Sequence, residues 1–167
     1  CSTLRLNYAK ELVSVACPTV IKGNISECKA FYGMTSHAHG VDADVLDEEN
    51  IYESAKWLKD MALNLGCVVV CSGKIDVVTD GKEVNLISNG CDMLSRITGT
   101  GCMLNVAIAT FLASYSPLLA CIKATCYYEV AAEKTECSGP GTFHMHFMDE
   151  IYKLTSFDES LFKIEII

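Results

Sequence analysis

Thr98-Gly99-Thr100-Gly101-Cys102-Met103-Leu104 is the stretch of this chain whose residue types and spacing best suit chemistry. Its glycines let the backbone come close to a ligand, and the apolar run that follows reads as a long helix. The first amides of a helix have no intrahelical acceptor and carry the positive end of its dipole, so they suit an anion. The backbone at Gly99, Thr100 and Gly101, with the thiol of Cys102 on the first turn, would suit a phosphate passing between two oxygens. The plainer alternative is a helix cap followed by a buried cysteine.

Other residues carry weaker signals. In Ile21-Lys22-Gly23-Asn24-Ile25-Ser26-Glu27, Asn24 suits a helix cap and Glu27 suits the first turn. The same two oxygen donors would also suit a hard divalent cation and its waters, and both readings stand. Ser72 ends an apolar strand, where a hydroxyl either meets a ligand or bonds to a turn. Arg5, Lys22, Lys74 and Arg96 all suit solvated surface charges. His37 with His39, and His144 with His146, have no cysteine or carboxylate at ligand spacing, which favours a plain surface role over metal binding.

These residues need elements to hold them. Leu4–Ala16 reads as a helix stopped by Pro18, and Thr19–Gly23 as a short strand. Asn24 then caps a helix to about Tyr32, with Gly33 beyond it. Thr35 to Asn50 reads as a loop, and Ile51–Leu65 as an amphipathic helix closed by Gly66. Cys67–Ser72 is continuously apolar, as in a strand buried on both faces. Asp76–Thr79 and Val84–Ile87 suit a hairpin around Asp80-Gly81. Two uncharged helices joined at Pro117 follow Gly99, then a third from about Phe143 to Leu154 and a last strand within Leu161–Ile167. Alternating helix and strand predict an α/β fold with a mostly parallel sheet.

Bulk properties narrow the class. The chain has 167 residues and is half hydrophobic, with 20% charged residues, which suits one folded domain over 1–167. A net charge of −8 argues against nucleic acid as a partner. None of the 10 cysteines forms a CxxC pair, so buried reduced thiols are expected. Ile97 to Ile122 carries no charge, but Gly99, Gly101, Asn105 and the Ser116-Pro117 break suit two buried helices better than a membrane span. A start at Cys1 reads as a fragment, with something lost upstream.

The order and spacing of several strings together resemble the hydroxyethylthiazole kinases of the ribokinase-like superfamily. They are Ile21 to Glu27, Gly40-Val41-Asp42-Ala43, Val68 to Gly81, Asn89-Gly90, Thr98 to Leu104 and Gly139-Pro140-Gly141-Thr142-Phe143. The resemblance implies a ribokinase-like layered fold, its sheet flanked by helices and incomplete at the N-terminus. It implies ATP-dependent phosphorylation of the primary hydroxyl of 4-methyl-5-(2-hydroxyethyl)thiazole in thiamine biosynthesis. Cys102 then matches the catalytic cysteine and Gly99 a thiazole-contacting glycine. Ser72 and Arg5 match ATP contacts, and Asn24 and Glu27 match an NxxE pattern that organises Mg²⁺ through its waters. A cytoplasmic homotrimer with active sites between subunits is the implied assembly. Kinases of hydroxymethylpyrimidine or pyridoxal are the nearest alternative. A piece that binds nucleotide or oligomerises without turnover is the alternative of another kind. As a fragment, residues 1–167 alone are expected to turn over poorly.

Overall fold

The structure, a computed structural model, describes residues 2–34, 50–153 and 158–167. The loop expected from Thr35, with Gly40 to Ala43, His37 and His39, lies outside the described residues. The chain forms two compact units, Cys1–Leu86 with Ile166–Ile167, and Ile87–Glu165.

The first unit opens with α1, Thr3–Ala16, capped by Ser2 and closed at Cys17 in a left-handed conformation (φ 45°). Strand β1, Val20–Asn24, runs directly into α2, Ile25–Tyr32, which Gly33 ends at φ 87°. Helix α3, Ile51–Leu65, is capped by Asn50 and stopped by Gly66. Strands β2, Val68–Ser72, β3, Asp76–Thr79, and β4, Val84–Ile87, follow, and β5, Ile164–Ile166, completes a sheet in the order β1-β2-β3-β4-β5. The last strand is tied in where the Ile167 N–H donates to the Val84 carbonyl at 3.0 Å.

The α/β class holds, with one difference in strand direction from the mostly parallel sheet expected. Strands β1 and β2 run parallel, but β2 and β3 run antiparallel. A parallel crossover needs roughly a dozen residues or more, and Gly73-Lys74-Ile75 is too short to provide one. The longer path from β1 to β2 holds α2 and α3. Val69 and Cys71 of β2 pack with Cys28 of α2 and with Leu58, Met61 and Ala62 of α3 in one apolar cluster. The neighbouring Val68 and Val70 are buried as well, so β2 has no solvated face, as its unbroken apolar run requires.

The second unit holds a 3-10 turn over Asp92–Arg96, then α4, Thr100–Leu112, α5, Pro117–Lys134, and α6, Pro140–Lys153. The uncharged run divides as expected, with Pro117 in the first turn of α5, where its missing N–H costs nothing. Only α5 is largely buried. Helix α4 buries Leu104 and Ile108 but leaves Val106 68% exposed. Among the described residues no helix is long and apolar enough to cross a membrane. Helix α6 starts at Pro140 rather than near Phe143, because proline is preorganised for a first turn and the Thr142 hydroxyl accepts the Ser138 and Gly139 N–H groups. Glu133 of α5 binds the Gly90 N–H at 2.9 Å, the Asn89 amide at 3.2 Å and Lys163 at 2.9 Å. Partial burial works to raise its pKa, but the Lys163, Gly90 and Asn89 donors outweigh it and hold the carboxyl below its usual range.

The nine described cysteines are free thiols, five of them buried as expected and Cys17, Cys102 and Cys137 exposed. Burial pushes the Cys121 thiol up to about 12.

The turn between β3 and β4 makes a sharp packing prediction. Gly81 has φ +88°, and a Cβ there would lie 2.7 Å from the Leu63 backbone nitrogen. Both the conformation and the backbone contact exclude a side chain. Gly81→Ala is therefore expected to lower unfolding stability by about 2–4 kcal/mol. Urea denaturation checks this: a midpoint equal to that of the parent protein would mean that the turn moves away from α3 at no cost.

Candidate active site

Strands β1 and β2 end side by side, with Asn24 the register partner of Ser72 and Gly23 that of Cys71. Carboxyl ends of parallel strands are where α/β sheets place ligands. The Lys22 ammonium donates to the Ser72 hydroxyl at 3.2 Å, and that hydroxyl donates to the Gly23 carbonyl at 3.4 Å. Asp76, 2% exposed, accepts the Gly73 N–H at 2.8 Å and so fixes the turn just after Ser72.

Asn24 and Glu27 form a reciprocal cap. The Asn24 Oδ1 accepts the Glu27 N–H at 2.8 Å, and the Glu27 Oε2 accepts the Asn24 N–H at 3.0 Å. This satisfies the structural reading of the pair. Both residues are nevertheless exposed, and the cap engages only one carboxylate oxygen among the described residues. Gly23 lets α2 approach this closely, since a Cβ there would lie 3.1 Å from the Glu27 Cβ and 3.3 Å from the Cys28 sulfur. These exposed hard oxygens are of the kind that suits a hydrated divalent cation.

In the second unit Gly99 opens α4 at φ +102°, a conformation L side chains rarely adopt. It offers no side chain to cap the helix, and no side-chain cap is made there. The other described helix starts differ. Side chains cap α1, α2 and α3; α5 lacks a side-chain cap as α4 does, but Pro117 carries no first-turn N–H, and at α6 the Thr142 hydroxyl accepts the Ser138 and Gly139 N–H groups just before the helix. The first-turn amides of α4 thus remain suited to an anion. The Thr100 hydroxyl turns back to the Leu94 carbonyl at 2.9 Å and the Ile97 carbonyl at 3.2 Å. Gly101 and Cys102 are exposed. Of the apolar residues flanking the turn, Leu104 is in the interior, while Ile97 and Met103 stay partly accessible.

The structure groups the residues singled out from sequence into two sets. Asn24, Glu27 and Ser72 meet at the ends of β1 and β2, and Gly99, Thr100, Gly101 and Cys102 form the start of α4. Arg5 lies exposed on α1, and the cation placed against Ser72 is Lys22. Sequence reading left Lys22 as a solvated charge. The signal that would have found it was its place in β1, two residues before the Asn24 cap and on a strand that pairs with β2. His144 and His146 are exposed on α6, and His146 Nδ1 is 2.7 Å from the Glu136 carbonyl oxygen.

Known proteins are similar to this chain in sequence and fold. Residues 1–157 match the Hydroxyethylthiazole kinase family. A relative from Clostridium botulinum (strain Langeland), hydroxyethylthiazole kinase 2, is 40% identical over 159 residues, covering 93% of this chain and 60% of the relative. The hydroxyethylthiazole kinase of Pyrococcus furiosus is 38% identical over 167 residues, covering 98% of this chain and 62% of the relative. The solved structure of the Pyrococcus horikoshii hydroxyethylthiazole kinase superposes with a TM-score of 0.83 at 28% identity, covering 99% of this chain and 61% of that one. A Bacillus subtilis protein of the UPF0031 family shares the fold alone, with a TM-score of 0.59 at 20% identity over 81% of this chain and 49% of that one. The chain therefore spans about 60% of the length of the curated relatives it matches. With the family's strings in order along nearly its whole length and an uncapped, glycine-opened helix start carrying Cys102, this chain belongs to the hydroxyethylthiazole kinase family.

Proposed function

We propose that this chain carries out the transfer of the ATP γ-phosphate to the primary hydroxyl of 4-methyl-5-(2-hydroxyethyl)thiazole, a step of thiamine biosynthesis. The observation that carries the reading is the start of α4, where Gly99 leaves the amides of Thr100, Gly101 and Cys102 without a side-chain cap. Phosphoryl transfer passes through a loose transition state, so alignment and neutralisation of charge account for most of the rate. The α4 amides supply a fixed positive field for the transferring group. Cys102 sits on that first turn and holds the acceptor hydroxyl, taking or sharing its proton late in the step. Gly99 contacts the heterocycle, with Ile97 and Met103 as apolar neighbours.

On the nucleotide side Lys22 and Ser72 bind phosphate oxygens of ATP, and Arg5 is the second cation to test there. Asn24 and Glu27 hold Mg²⁺ through its waters. The metal, when bound, offsets negative charge on the phosphates. The same reading includes a homotrimer in the cytoplasm with neither nucleic acid nor membrane as partner.

ADP release measured with hydroxyethylthiazole, hydroxymethylpyrimidine and pyridoxal tests the substrate. Residues 1–167 alone are expected to turn over poorly; in a version extended to the relatives' length turnover is expected with the thiazole, and Cys102→Ala there is expected to reduce kcat about 100-fold while ATP binding is retained. Preference for another alcohol would move the chain to a different vitamin kinase activity, and full turnover by Cys102→Ala would remove the thiol from the reaction. Lys22→Ala is expected to raise the KM for ATP roughly tenfold, as loss of a hydrogen bond to a charged group implies. A larger effect from Arg5→Ala would transfer that role. Glu27→Gln is expected to raise the half-saturating Mg²⁺ concentration about tenfold. An unchanged Mg²⁺ titration would leave Glu27 as a helix cap only.

A further inference from the structure

The second unit contains two glycine-rich helix starts, Gly99–Cys102 at α4 and Gly139–Thr142 at α6, and one side chain of α5 reaches the first of them. Tyr128 is buried, at 4% exposure, and its hydroxyl donates to the Thr100 carbonyl at 2.9 Å. Its ring meets Phe147 edge-on, with centroids 4.8 Å apart and planes at 82°. Phe147 stacks on Phe143 at 5.4 Å, and the Phe143 N–H donates to the Gly139 carbonyl at 2.9 Å. A continuous path of contacts thus runs from the first residue of α4 through the phenol to the turn that opens α6.

Thr100 is held from both ends. Its hydroxyl is tied back to Leu94 and Ile97, and its carbonyl takes the phenol from outside the helix. A carbonyl at this position already has an acceptor role within the helix, at the Leu104 N–H. The second donor therefore adds orientation: it fixes how the first turn of α4 is rotated against α5. Burial, then the neighbouring Glu129, push the phenol well above the usual tyrosine range, so it stays protonated and donating throughout the working range.

We propose that Tyr128 is a positioning residue: its hydroxyl sets the orientation of the Gly101 and Cys102 amides and of the Cys102 thiol, and ties that first turn to the start of α6. The effect on turnover rests on the transfer reading given above, while the orientation itself does not. Tyr128→Phe removes one oxygen and keeps the ring that Phe147 packs against, so it isolates the hydrogen bond.

Three measurements on this variant decide the matter. The first is the rate of iodoacetamide alkylation at Cys102, mapped by mass spectrometry with the exposed Cys137 as internal reference. The second is amide exchange over Gly101–Leu104, and the third is kcat against KM. The expected result is faster exchange at the α4 start by about fivefold, a changed Cys102 rate with Cys137 constant, and a kcat about tenfold lower at nearly constant KM for ATP. The kcat pH profile should keep its shape, because the phenol does not titrate in that range. A lower Tm with exchange, Cys102 reactivity and kcat unchanged would overturn the proposal and leave Tyr128 as packing. A lower kcat without change in exchange or Cys102 reactivity would overturn it too. If a version extended to the relatives' length shows no turnover with any alcohol while exchange and alkylation respond as expected, the transfer reading fails and the positioning of the α4 start by Tyr128 stands.

Discussion

The parallel pairing of β1 with β2 is the constraint on which the contact of Lys22 with Ser72 depends. Lys22 and Ser72 are 50 residues apart in sequence, and the register that sets Asn24 opposite Ser72 brings their side chains into contact. Because side chains alternate along a strand, a slip of one residue would point Lys22 to the other face and remove the contact. Burial holds the register. Val69 and Cys71 face the cluster with Leu58 and Met61, Val68 and Val70 are buried on the opposite face, and Gly23 is closely packed against Glu27 and Cys28, so the close packing of these particular side chains favours this pairing over a shifted one.

Gly23 links this sheet edge to the helix that follows it. A side chain there would press on Glu27 and Cys28, displacing the first turn of α2. The cap formed by Asn24 and Glu27 can therefore be both structural and functional. The hydrogen bonds that satisfy the first amides of α2 also hold the exposed carboxylate in one orientation.

The start of α4 solves the opposite problem. There the amides are left without a side-chain cap, and orientation comes from around the turn instead. The Thr100 hydroxyl binds the preceding turn and Tyr128 binds the Thr100 carbonyl. A site whose field comes from backbone amides needs the backbone itself held, because the donors cannot adjust as side chains do. Aromatic packing of Tyr128, Phe147 and Phe143 supplies that rigidity from buried surface.

Local chemistry made much of this legible. The Asn24 cap, Gly33 and Gly66 as helix stops, the Asp80-Gly81 turn and Pro117 are short-range signals, and each lies where the sequence places it, whereas the Ser2 and Asn50 caps were not anticipated. The first-turn position of Cys102 was legible for the same reason, since Gly99 dictates the local backbone. Tertiary structure alone decided what depends on distant partners. The mixed direction of the sheet follows from which strands find each other, and the exposed side of α4 from what packs on it. The role of Lys22 at Ser72, and of Tyr128 at Thr100, required strands and helices far apart in sequence to meet. A sequence window contains the torsional preferences of its own residues, but a side chain's partner across a register or between helices is set by the burial of the whole core.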